Sequence, residues 1–280
     1  MLWGLHSGGW MSGLYAGAAD AYRAQVDLLA EHGLHATSWS VRELLAMPAG
    51  RREEVAGWLA ERDIRVSLGV GGIDWLSTDD GAIRRATDET VAALRTLVPL
   101  VRAPLVSTGI DRNLHHYSRD VPVGCQIERL GVAMAPLAKA CAAMGAPLAI
   151  HTVTHFGRDL AELCRRVPGL GLLVDTANFF LIGQPPVEGA AECAAYAVGT
   201  HFKDHYAAPN FKPLGLNVRG AVPGQGDVGL REIYGLLMEK APAPDRLVME
   251  LEIDPVCDEQ DRPRDRRDVL REAVAFVKSL

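Results

Sequence analysis

Along the whole chain, short apolar runs alternate with longer stretches in which apolar residues return every third or fourth position. That is the spacing of strands followed by amphipathic helices. Strands are predicted at Leu2 to Ser7, Leu34 to Ser40, Ile64 to Val70, Ala103 to Thr108, Pro147 to Thr152, Gly171 to Asp175, Gly199 to His205 and Arg246 to Ile253. The helices that follow them are predicted near Ala18 to His32, Arg51 to Arg62, Gly81 to Leu97, Gln126 to Met144, Arg158 to Arg166, Glu188 to Ala197, Leu230 to Lys240 and Arg264 to Lys278. The first helix stops at Gly33, and an irregular segment carrying His115 and His116 follows the fourth strand. A long Gly/Pro-rich loop to Gly226 trails the seventh strand.

Strand–helix units joined by short connections give parallel strands with right-handed crossovers. Eight such units in 280 residues close most naturally into one α/β domain, a single (β/α)₈ TIM barrel over residues 1–280. An open doubly wound sheet is the alternative, but no GxGxxG follows the first strand.

Barrels of this kind carry their functional side chains at the C-terminal strand ends. The fifth apolar run, Leu148-Ala149-Ile150, closes on His151, and the sixth, Leu172-Leu173-Val174, closes on Asp175. The seventh strand carries His201, Lys203 and His205 at alternate positions, hence on one face, and the eighth carries Glu250 and Glu252 likewise. Each has an ordinary reading by itself: Asp175 as a turn cap, His201 as a packed core histidine. Taken together, His151, Asp175, His201 and Glu250 at matching ends of consecutive strands favour a metal site, because buried charge is costly unless paired or metal-bound. Such mixed nitrogen and oxygen ligands suit a divalent ion, Mn²⁺ first, with Mg²⁺, Co²⁺ and Zn²⁺ as alternatives. Glu252 is the fallback ligand if the strand register is off by two.

Composition narrows the partners. With 29 basic and 35 acidic residues, a net charge of −6 and no Lys/Arg stripe, no nucleic-acid partner is expected. No apolar run approaches the ~18 residues of a membrane span, and the N-terminus lacks a basic n-region and a cleavage site. Five cysteines without CxxC spacing read as free thiols of a reducing compartment, so a cytoplasmic protein is expected. A homo-oligomer is compatible with all of this.

At its strand ends the chain resembles the xylose-isomerase-like barrel superfamily of sugar isomerases, epimerases and inosose dehydratases, which also includes DNA-repair endonucleases. The motifs are Asp175-Thr176-Ala177-Asn178, His201-Phe202-Lys203-Asp204-His205, Pro223-Gly224-Gln225-Gly226-Asp227-Val228 and Met249-Glu250. The resemblance implies a small-molecule sugar or cyclitol substrate. It also implies Asp175, His201 and Glu250 as metal ligands, with Glu250 doubling as an acid/base group and Asn178 facing substrate. Lys203 and Asp204 match the family motif, where an ion pair supporting the strand competes with substrate contact. The turn Gly224 to Gly226 resembles the loop leading into the seventh helix. The family usually ends the fifth strand on a glutamate that is both ligand and second acid/base residue; this chain has His151, followed by Thr152, Val153, Thr154 and His155. Histidine binds metal as neutral imidazole but removes a carboxylate, so His155, His205 or His116 becomes the candidate second base.

Weaker candidates complete the set. His6 ends the first strand and is either pocket-lining or packed. Trp10, like Trp3, Trp39 and Trp75, either stacks on a sugar ring or packs in the core or lid. Four functions compete. An isomerase or epimerase moves a proton beside a carbonyl through an enediolate. A metal-dependent lyase or dehydratase acts on a keto-inositol or oxidised glycoside. A DNA-repair endonuclease needs a basic groove that the charge argues against, and a non-catalytic sugar-binding barrel needs no metal.

Overall fold

The computed structural model describes residues 1–110, 114–212 and 214–280. Eight parallel strands close a barrel: β1 (Leu2–Leu5), β2 (Ala36–Ser40), β3 (Arg65–Val70), β4 (Val106–Thr108), β5 (Leu148–His151), β6 (Leu170–Asp175), β7 (Ala197–Phe202) and β10 (Val248–Leu251). β1 pairs with both β2 and β10, which completes the ring. Around it lie α1 (Ala21–His32), α2 (Val41–Ala46), α3 (Ala49–Glu61), α4 (Asp80–Leu100), α5 (Val123–Ala143), α6 (Gly157–Arg166), α7 (Pro186–Cys193), α8 (Leu230–Lys240) and α9 (Arg266–Val277). Among the described residues no helix is long and apolar enough to cross a membrane. The fold is the single (β/α)₈ barrel that the alternation predicts.

Two expectations are corrected. The long loop after the seventh strand contains an antiparallel hairpin, β8 (His205–Phe211) and β9 (Leu214–Gly220). Pro209, Gly215 and Gly220 within it obscure the strand pattern, since both residue types are depleted in strands. The seventh strand ends at Phe202, so His201, Lys203 and His205 do not alternate along one strand: the chain leaves the barrel at Lys203 and His205 opens the hairpin. One short helix, α2, follows β2 directly, its N-terminus capped by the Ser40 hydroxyl, which accepts from Arg42 N–H.

The core has two parts. The larger lies between barrel and helices; the smaller plugs the barrel interior with Ala36, Leu105, Ala149, Leu173 and Val248. The plug fits because some inward positions are small. A Cβ on Gly199 would come within 2.7 Å of Leu105 and 3.1 Å of Leu173, so β7 has no room for a side chain there.

Beyond β7, Asp204 organises the mouth. Its buried carboxylate accepts backbone N–H groups from His205, Gly224, Gly226 and Val228 at 2.8 to 3.3 Å. The turn wraps so tightly that a Cβ on Gly226 would sit 2.3 Å from Asp204 Oδ1. Lys203 and Asp204 are therefore not an ion pair with each other; Asp204 is a backbone anchor. Replacing it, Asp204→Ala, leaves four N–H groups without their acceptor and is expected to cost about 3 kcal/mol in urea unfolding with the far-ultraviolet spectrum unchanged. A loss below about 1 kcal/mol would mean that water substitutes for the carboxylate.

Candidate metal centre

Side chains alternate along a strand, so the residue two places beyond each plug residue points into the barrel one layer nearer the mouth. Ala149 leads to His151, Leu173 to Asp175, Val248 to Glu250, Ala36 to Ser38 and the empty Gly199 position to His201. Register brings them level: Asp175 pairs with His201 and His201 with Glu250 across β6, β7 and β10. A dry apolar floor thus carries a ring of ionisable groups.

His201 sits at the centre. Its Nδ1 lies 2.7 Å from Glu252 Oε2, 3.1 Å from His151 Nε2 and 4.0 Å from Asp175 Oδ2. Its Nε2 faces the other way, 3.7 Å from Glu250 Oε2. His151 Nε2 is 3.3 Å from Asp175 Oδ2. Two ligand-type groups result: His151, Asp175, His201 and Glu252 on one side, and His6, His201 and Glu250 on the other, each with its atoms within 4.8 Å of one another. The expected quartet is therefore divided. Glu252, the fallback residue, takes the fourth place, and Glu250 stands across the His201 ring with His6.

The charges do not balance. Asp175, Glu250, Glu252 and Asp254 gather around one lysine, whose Nζ lies 3.4 Å from Asp175, 2.8 Å from Glu252 and 3.6 Å from Asp254. Burial pushes the Asp175 carboxyl up, but the His151 hydrogen bond and the Lys203 charge outweigh it and hold it below the usual range. Glu250 and Glu252 are likewise held low against burial, Glu250 by His6, His201 and Ser67, Glu252 by His201 and Lys203. Burial lowers His151, whereas in His201 the same effect is overcome by Glu252, Glu250 and Asp175, so that its net shift is upward. One oxygen stays unsatisfied: Ser67 donates to Glu250 Oε1 at 2.7 Å, while the buried Oε2 has no hydrogen-bond partner. The surplus negative charge and the mixed nitrogen and oxygen donors of His151, Asp175, His201 and Glu252 fit a divalent cation.

A cavity of about 620 Å³ opens beside this cluster, lined by His151, Asn178, Lys203, His205, Glu252 and Asp254 on its polar side and by Val153, Leu181 and Ile182 on its apolar side. The Asn178 amide donates to Thr152 O at 3.3 Å. His205 Nε2 meets Asp254 Oδ2 at 2.8 Å, and its buried Nδ1 has no partner. Other expected residues lie elsewhere. His155 is buried away from the cavity, and both ring nitrogens are engaged, Nδ1 with the Thr154 hydroxyl and Nε2 with Gln126 Oε1, each at 3.0 Å. His116 stacks on Phe156 and bonds Asp159 at 2.7 Å; its neighbour His115 lines the cavity instead. Trp10 packs under Arg266, while Trp39 and Trp75 are buried with their N–H groups on Gln25 and Thr108. His6 bonds Ser38 at 2.7 Å and approaches Glu250 to 3.8 Å.

Sequence reasoning missed Ser67, Ser38 and Asp254. A signal existed for the first: Ser67 is a lone hydroxyl inside the apolar run Val66 to Val70, at a position only 2% exposed.

A family model described as xylose isomerase-like TIM barrel matches residues 26–280. A search of curated proteins by sequence returns no match. Among solved structures, D-psicose 3-epimerase with D-tagatose from Clostridium cellulolyticum H10 aligns at TM-score 0.71 and 15% identity, covering 99% of this chain and 97% of that one. The probable 3-DHS dehydratase involved in petrobactin synthesis from Bacillus anthracis aligns at 0.68 and 13%, covering 99% of each chain. A xylose isomerase-like TIM barrel protein from Mycobacterium smegmatis in complex with magnesium aligns at 0.66 and 14%, covering 98% and 97%.

The burial of His155 has a consequence for stability. Burial lowers its pKa from 6.5 to about 4, so between those values the unfolded chain holds the extra proton and the folded chain does not. Stability is then complete above pH 6.5 and falls as pH drops toward 4, by about 3 kcal/mol for this group. Chemical denaturation across that window should show the slope in the parent protein and a flatter one in His155→Asn.

Proposed function

The chain belongs to the xylose isomerase-like TIM barrel family, and we propose that it is a divalent-metal-dependent sugar isomerase or epimerase that moves a proton at the carbon beside a carbonyl. The observation that carries this reading is the gathering of ligand atoms from His151, Asp175, His201 and Glu252 within 4.8 Å of one another, against a cavity of sugar size. These four residues would hold the ion, with Glu250 alongside. When bound, a divalent ion supplies Lewis-acid polarisation of a carbonyl and the hydroxyl next to it.

The chain's own groups do the rest. Glu250 is assigned as the acid/base residue: Ser67 fixes one oxygen, and the other is free to take the α-proton and return it. Return to the neighbouring carbon through an enediolate isomerises the sugar, and return from the opposite face epimerises it. His205, oriented by Asp254 and lining the cavity, is the second proton carrier; it replaces His155, whose two ring nitrogens are both engaged, and His116, which does not line the cavity. Asn178, Lys203 and His6 would orient hydroxyls, while Val153, Leu181 and Ile182 meet the C–H faces of the ring.

His151 favours a second reading, a metal-dependent lyase or dehydratase of a keto-inositol or oxidised glycoside. With histidine where the resemblance implies glutamate, one carboxylate removes the α-proton, the C–O bond to the β-leaving group breaks, and the proton passes to the departing oxygen, with none returned to carbon.

Purified protein is expected to carry about one divalent ion per chain, Mn²⁺ foremost, by elemental analysis. Asp175→Ala with His201→Ala should abolish it, and full occupancy in that double variant would sink the site. His151→Ala should keep the fold and weaken binding, whereas His151→Glu should bind metal without native turnover.

Ketoses, aldoses and keto-inositols incubated with the Mn²⁺-loaded enzyme in D₂O separate the chemistries. Isomerisation or epimerisation keeps the carbon skeleton and hydroxyl count and places deuterium beside the carbonyl. A product lighter by water or an aglycone establishes the lyase, and a site that retains metal yet converts nothing in the panel counts against both.

A further inference from the structure

Beyond His205 at its base, the hairpin β8–β9 adds no strand to the barrel it springs from. Its strands pair with each other and, apart from a single bridge from Gly220 at its base to Val256, with no other strand among the described residues; it carries Phe211 at 82% exposure and Leu214 at 88%, with Leu216 and Val218 also exposed. Residues 205–220 contain no acid but include Lys212 and Arg219, in a chain whose net charge is −6.

A second apolar feature lies on the opposite wall. Between α4 and α5 runs a groove of about 780 Å³ with Ile83, Pro136 and Val132 on its surface, the last 76% exposed. Its rim bears Asp80, Asp88 and Glu128 against Arg84 and Arg129, and no ion pair among the described residues uses any of these five. The rim is therefore net acidic where the hairpin is basic. The hairpin cannot fill its own groove: it leaves from β7, whereas α4 and α5 follow β3 and β4, three and four strands away around a ring of eight.

We infer that two copies of this chain pair mouth to mouth, each laying its β8–β9 hairpin into the α4–α5 groove of the other. Both features open at the C-terminal end of the barrel, since the hairpin follows the end of β7 and the groove begins at the loop Trp75 to Thr78 and the first turns of α4 and α5, from where it runs down α5 to Pro136. A two-fold axis lying across the mouth, perpendicular to the line from hairpin to groove, exchanges the two. The contact is then made twice and closes on itself as a symmetric dimer instead of running on as a filament. The partner also covers the cavity mouth, where Tyr117 and Leu181 stand exposed, and so limits water access to the cluster.

The test uses the full chain and is independent of metal or substrate. Sedimentation equilibrium should give twice the chain mass. Phe211→Ser with Leu214→Ser should raise the dimer dissociation constant at least tenfold with an unchanged far-ultraviolet spectrum, and Val132→Arg should do the same from the groove side. Cys125 is an exposed thiol in that groove, so Leu214→Cys should form an intermolecular disulfide with it under mild oxidation, lost when Cys125→Ser is added. A monomer at all concentrations, a dimer indifferent to either set of substitutions, or a cross-link that survives Cys125→Ser would each overturn the proposal.

Discussion

Four carboxylates share the barrel mouth with a single lysine, and the rest of the architecture can be read as what keeps that imbalance in place. Charges taken out of water cost several kcal/mol each unless partners surround them. Lys203 reaches three of the acids only because its backbone is tied to Thr176, whose hydroxyl accepts from Lys203 N–H at 2.9 Å and bonds Lys203 O at 2.7 Å. Asp175 is held the same way, its N–H donated to the Thr152 hydroxyl at 2.8 Å. Two buried threonines beside the strand ends therefore fix where the charges stand, and the two neighbouring histidines are pushed opposite ways, His201 upward by the surrounding carboxylates and His151 downward by burial.

The same strands that bring the charges together also deny them water from below. Ala36, Ala149 and Val248 fill the barrel where Ser38, His151 and Glu250 sit one layer higher. Polarity switches over two residues on each strand, so the site's position is a direct product of the two-residue period of a β-strand and the register of a closed sheet.

Much of this was legible in the sequence because both periods survive in it. The strand–helix count gave the barrel, and apolar runs closing on His151 and Asp175 marked the mouth. What was not legible depends on distance in space. Glu250 and Glu252 lie on one face of one run, and only the packing of His201 between them decides that Glu252 joins His151 and Asp175 while Glu250 faces His6. Nothing near His155 in sequence announces Gln126, 29 residues earlier, which together with Thr154 occupies its ring. The hairpin was hidden for a local reason, its glycines and proline masking an alternation that has no buried face to enforce it.

Asp204 has one further consequence. Its carboxylate holds the N–H groups on both sides of the hairpin, His205 where it departs and Gly224, Gly226 and Val228 after it returns, and Asp227 N–H closes on His205 O at 2.8 Å. The two ends of the excursion are clamped at one point that does not depend on what lies between them. Closure entropy rises only slowly with the length of such a segment, so the barrel has a socket into which appendages of different length and chemistry can be grafted while the ring of ionisable groups beneath keeps its geometry.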